Sequence, residues 1–151
     1  MPEQQSLESD LAAVTRLLGR QPSGGFVVVV RDPDGSPIVI RNSPFLHDGT
    51  PMPTLFWLCD LDLNRRVSTL EAEGGVRRAQ GEVPRDDIED AHRRYSALRE
   101  TFIDDSGSEL RPSGGVAGTR TGVKCLHAHF AWHLAGGDDA VGRWVEKNLP
   151  D

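Results

Sequence analysis

Between Val123 and Ala135 the chain reads VKCLHAHFAWHLA, and the residues there that can do chemistry are Cys125, His127, His129 and His133. Taken as a helix over 123–135 closed by Gly136-Gly137, the segment puts Val123, Leu126, Phe130 and Leu134 on one apolar stripe, the core face. Cys125, His129 and His133 then follow at i, i+4 and i+8 along a neighbouring flank, where thiolate and imidazole suit zinc or another divalent transition metal. Cys59, His47 or Asp60 would complete the shell from elsewhere. The spacing only permits such a site, because a helix drifts by about 40° over four residues and a third ligand at i+8 is hard to aim.

A second chemistry precedes the helix. Gly114-Gly115-Val-Ala-Gly-Thr-Arg-Thr-Gly-Val-Lys124 is a glycine-rich loop leading to a helix N-terminus, where free N–H groups and the positive dipole end favour phosphate. Arg120 and Lys124 supply charge, Arg111 stands further off, and His127 lies close enough in sequence to join the ligand set. The loop has neither the spacing of a Walker A motif nor that of a dinucleotide-binding fingerprint.

A third reading makes Cys125 a nucleophile, its thiol acidified near the helix start, with a histidine as base. Residues two apart on a helix point about 200° away from each other, which excludes His127 as the partner and leaves His129. Against all three stands a buried helix whose histidines merely satisfy hydrogen bonds. Asp32 and Asp34 in the first hairpin, His47-Asp48-Gly49, Asn64-Arg65-Arg66, and His92 with Tyr95 read as turn chemistry, solvated charge and core-edge contacts.

The elements that must carry these residues follow from hydrophobic periodicity and breakers. Leu7, Leu11, Val14, Leu17 and Leu18 repeat at helical spacing after Ser6, an N-cap candidate, and stop at Gly19. Phe26 to Arg31 and Ile38 to Arg41 form a hairpin across Asp32-Pro-Asp-Gly-Ser36; the first strand is apolar on both faces, which predicts a central, covered strand. A proline-bearing loop over 42–53 feeds a third strand, Thr54 to Leu58. Helices are predicted over Leu61 to Glu73, from Pro84 to about Phe102, and after Asp138-Asp139, with a long loop over 104–121. Trp144 and Trp132 are placed to pack together, or with Trp57 to form an aromatic surface for a partner. The expected fold is α+β, a small antiparallel sheet of about three strands packed with four to five helices, in a single domain over 1–151.

Composition narrows the function classes. The formal charge of −6, from 23 acidic against 17 basic residues, disfavours phosphate backbones and anionic lipid, so neither nucleic acid nor membrane is an expected partner. The longest apolar run, Phe26 to Val30, cannot span a bilayer, and the acidic N-terminus lacks the pattern of an export signal. Two cysteines read as free thiols in a reducing cytoplasm.

The strings GTPMPTLFWL at 49–58, NRRVSTLEAEGGVRRA at 64–79, RPSGG at 111–115 and GVKCLHAHFAWHLAGGDDAVGRWV at 122–145 resemble the bacterial, actinobacterial-type domain-of-unknown-function family DUF501 over nearly the whole chain. The resemblance implies no activity. It implies a neighbourhood with a division-septum protein and an exopolyphosphatase-type phosphatase, hence, as a further alternative, an interaction protein linked to cell division or polyphosphate metabolism. Some relatives carry Cys-x-Cys-Gly and Thr-Cys-Pro segments; the matching positions here, Asp32, Asp34 and Asp60, are not thiols, which weakens a structural zinc site there.

The reading that follows is a cytoplasmic ligand-binding or regulatory module with a phosphate-type site at Arg111, Arg120, Lys124 and His127. A metal-dependent enzyme using Cys125, His129 and His133, with zinc as the expected type of cofactor, is the alternative.

Overall fold

The computed structural model describes residues 9–103 and 110–151. Helix α1 (Asp10–Leu18) is capped by Ser9, whose side chain accepts from the Ala12 N–H, and ends at Gly19 with φ 79°. The cap proposed at Ser6 lies outside the described residues. Strands β1 (Gly24–Arg31), β2 (Pro37–Leu46) and β3 (Phe56–Leu58) form an antiparallel sheet in the order β1-β2-β3. In the hairpin turn, Asp32 Oδ1 accepts from the N–H groups of Asp34 and Ser36, so these aspartates do turn chemistry.

β1 is an edge strand, not the central one its apolar run predicts. Its residues alternate in exposure, and Val27 and Val29 face solvent. A register shift between Val28 and Val30 inserts Val29, so that Phe26 and Val28 pack under α1 with Val14 and Ile40 while Val30 joins the larger core behind the sheet. β2 runs on to Leu46, through residues expected to be loop, and takes the central position.

Behind the sheet pack α2 (Leu61–Ala72), α3 (Gly75–Glu82), α4 (Arg85–Glu100), α5 (Leu126–Leu134) and α6 (Ala140–Asn148). Among the described residues there are thus six helices where four to five were expected, α3 being the addition. It restarts the chain after Gly74 (φ 84°), with Gly75 so close to Leu70 that a Cβ would lie 2.5 Å from its carbonyl. α5 crosses β3 and pairs with α6. Tyr95 of α4 anchors the sheet: its hydroxyl oxygen accepts from the N–H groups of Leu55 at 2.5 Å and Phe56 at 3.2 Å, and its ring meets Trp132 edge-on. Trp132 and Trp144 are buried, Trp144 under Arg78 and bonded to Glu82, so the three tryptophans form no shared surface. No helix among the described residues is long and apolar enough to cross a membrane.

Candidate functional site

The glycine-rich loop is fastened to α4 by two buried side chains. His92 Nδ1 accepts from the Val116 N–H at 3.1 Å and Nε2–H donates to the Gly122 carbonyl at 2.7 Å. An N–H can only donate and a carbonyl can only accept, so the pair of contacts selects the neutral Nε2–H tautomer. Burial, the largest influence, holds the His92 pKa below its ordinary value. Arg99 donates to the carbonyls of Pro53, Gly114 and Gly115. Gly115 is required by space: a Cβ there would stand 2.4 Å from the His92 side chain.

Between this loop and α4 opens a cleft of about 410 Å³ lined by Glu89, His92, Arg93, Ser96, Gly114, Gly115, Thr119, Arg120 and Thr121. Arg120 is exposed, and Arg93 is ion-paired with Asp90. Several loop N–H groups are already used within the loop, Gly115 donating to Thr119 and Gly118 to Gly115. Of the four residues expected to bind an anion together, only Arg120 lines this cleft. Arg111 pairs with Glu100, Lys124 is exposed beyond the loop, and His127 belongs to a different cluster.

The helix expected from Val123 begins at Leu126, and this reorganises the chemistry. Cys125 is the extended N-cap residue (φ −139°, ψ 115°), outside the helical phase. The separation of about 200° that excluded His127 therefore does not apply, and Cys125 and His127 meet. With Glu71 of α2 they form a group whose donor atoms all lie within 4.8 Å of one another. His127 Nδ1 is 3.3 Å from Glu71 Oε1, while Nε2 lies 3.0 Å from Ser68 Oγ and 3.3 Å from the Asn64 carbonyl. Glu71 Oε2 accepts from the Leu126 N–H at 2.8 Å. A carboxylate of the protein thus sits at the helix N-terminus that the sequence offered to phosphate.

Hydrogen bonding to Cys125, then to Glu71, pushes the His127 pKa up to about 10 against the effect of burial. Burial alone would raise the Glu71 carboxyl, but its bonds to His127 and Leu126 outweigh that and lower it.

The i, i+4, i+8 stripe does not form a metal-capable group among the described residues, because its first member is not helical. His129, fully buried, is bonded through Nδ1 to the equally buried Asp139 Oδ2 at 2.6 Å, and its Nε2 has no partner among the described residues. His133 reaches Glu146 at 3.3 Å. The auxiliary ligands lie elsewhere: Cys59 is buried against α1, burial pushing its thiol up to about 11, Asp60 caps α2, and His47 sits in a turn. Glu71, Ser68, Arg93 and Ser96 were not anticipated. Each reads as a solvated helix residue, and Glu71 meets Leu126 across 55 residues, so no local spacing marks it.

The family model described as "Protein of unknown function (DUF501)" matches residues 28–147. No curated protein and no solved structure matches the chain.

Proposed function

The chain belongs to the DUF501 family, whose description assigns no activity, and from its own geometry we propose a cytoplasmic ligand-binding module that takes a phosphate-type anion in the cleft between α4 and the glycine-rich loop. The observation carrying this reading is the convergence of Arg93, Arg120, Ser96 and Thr121 on one open cleft of about 410 Å³, a size suited to a small molecule. Guanidinium forks and hydroxyls are the donors that match phosphate oxygens, and they stand out on a chain whose formal charge is −6. The loop backbone is held from inside by His92 and Arg99, so the donors are positioned before a ligand arrives. Cytoplasmic residence is supported by two free thiols, Cys59 and Cys125.

Calorimetric titration with inorganic phosphate, pyrophosphate and nucleoside mono- and diphosphates tests the reading. At least one binds, and Arg120→Ala and Arg93→Ala each weaken it about tenfold or more, in line with loss of a charged hydrogen bond. Affinities that ignore both substitutions sink the anion cleft.

A further inference from the structure

We propose that Glu71, Cys125 and His127 bind a single transition-metal ion of the zinc type, with one coordination position open to an exogenous ligand. The site is separate from the α4 cleft and does not depend on it.

Three observations carry the inference. Carboxylate, thiolate and imidazole are the donors zinc accepts, and their atoms lie within 4.8 Å of one another. Tetrahedral bonds of about 2.0–2.3 Å place ligand atoms roughly 3.3–3.8 Å apart, so rotamer adjustment of about an ångström closes the site. Each of the two flexible ligands is also anchored through its other polar atom. His127 Nε2 faces the Asn64 carbonyl and Ser68 Oγ, and Glu71 Oε2 is held by the Leu126 N–H. Metal-binding histidines and carboxylates are oriented in this way by outer-shell partners, which leave the inner atoms free to converge. Finally, the three ligands come from packed backbone: Glu71 from the last turn of α2, Cys125 from the cap of α5 and His127 from its first turn.

Charge supports a divalent ion. Thiolate and carboxylate together bring two negative charges, which neutralise it despite the positive end of α5. All three residues are half-buried, so the ion has an entry path and a face open to solvent. Three protein ligands with an open position is the arrangement of zinc sites that activate water or a substrate oxygen.

The test uses untagged full-length protein, stripped with chelator and titrated with zinc by calorimetry and with cobalt(II) by absorption spectroscopy. One equivalent of each binds, and cobalt gives a thiolate charge-transfer band. Cys125→Ser abolishes the band, and Glu71→Gln and His127→Gln weaken zinc about tenfold or more, with thermal unfolding checking that each variant folds. His133→Gln and His47→Gln leave binding unchanged. Binding without the thiolate band, or weakened equally by His133→Gln, overturns the assignment. So does an absence of stoichiometric zinc in protein whose Cys125 alkylates rapidly, which would make the cluster a thiolate–imidazolium pair instead.

Discussion

The guanidinium of Arg99, 1% exposed, donates to the carbonyl of Gly114 at 2.7 Å, and so ties the glycine-rich loop to the interior rather than to the surface. The same side chain reaches the carbonyls of Pro53 and Gly115, which joins the loop before β3 to the loop before α5. Replacing Arg99 by Met keeps the aliphatic stem and takes this donor from the half-buried carbonyls of Pro53 and Gly114, while the Gly115 carbonyl keeps the Gly118 N–H. The expected loss is about 3 kcal/mol of unfolding free energy, read from the denaturant midpoint, with a parallel loss of phosphate affinity. A variant as stable as the parent would show that water replaces the guanidinium freely.

His129 and Asp139 make a buried polar pair as well. Asp139 also caps α6 through Oδ1, which accepts from the Val141 N–H at 2.9 Å. Asp139→Ala removes the cap and strands the His129 N–H in the core, an expected loss of about 3–5 kcal/mol. Asp139→Asn keeps the oxygen that accepts from the Val141 N–H but turns an NH2 toward His129 Nδ1, which can accept it only by moving its proton to Nε2, and should lose about 2 kcal/mol. In a double-mutant cycle with His129→Phe, the combined loss falls short of the sum by roughly 1–3 kcal/mol, since neither single change then leaves a lone polar partner. Additive losses would mean that the two side chains act independently.

What could be read from the chain alone was whatever its chemistry settles locally. The Asp32 turn, the Asp139 cap, the Gly19 stop and the α+β class depend on neighbours a few residues away, and all are present. Strand order is not local: five apolar residues in a row fit a central strand, and only the pairing of β2 with both neighbours makes β1 an edge. The site turned on a single boundary. Because Glu71 takes the Leu126 N–H, α5 begins three residues later than its apolar stripe suggests, and that shift separates Cys125 from His129 and brings it to His127.

Acid sensitivity should report on His92. Its pKa in the fold lies below the ordinary 6.5, so the unfolded chain takes up a proton that the native protein resists. The stabilising effect is therefore complete above pH 6.5 and is lost as pH falls below it. His127, raised from 6.5 to about 10, contributes fully below 6.5 and so adds no slope there. Between pH 6.5 and 4.5, the ordinary value of Glu71, metal-free protein should lose thermal stability on acidification, and His92→Gln should flatten that limb. An unchanged slope in the variant assigns the acid sensitivity to another group.

Gly115→Ala and Gly136→Ala separate crowding from backbone strain. Gly136 has φ 94° and open space around the missing Cβ, so alanine there meets only the left-handed penalty, about 1 kcal/mol. Gly115 has an ordinary φ of −97°, but its Cβ would lie 2.4 Å from both Cβ and Nδ1 of His92. Overpacking of that kind, together with the broken His92–Val116 bond, should destabilise by about 3 kcal/mol. The two causes respond differently to a second change. In a His92→Gly background neither Cβ nor ring remains to clash, so the further loss from Gly115→Ala should shrink to under about 1 kcal/mol while that from Gly136→Ala stays as it was. If Gly115→Ala were equally damaging in both backgrounds, the loop would owe its glycine to backbone conformation, and His92 would not be the side chain that sets the floor of the cleft.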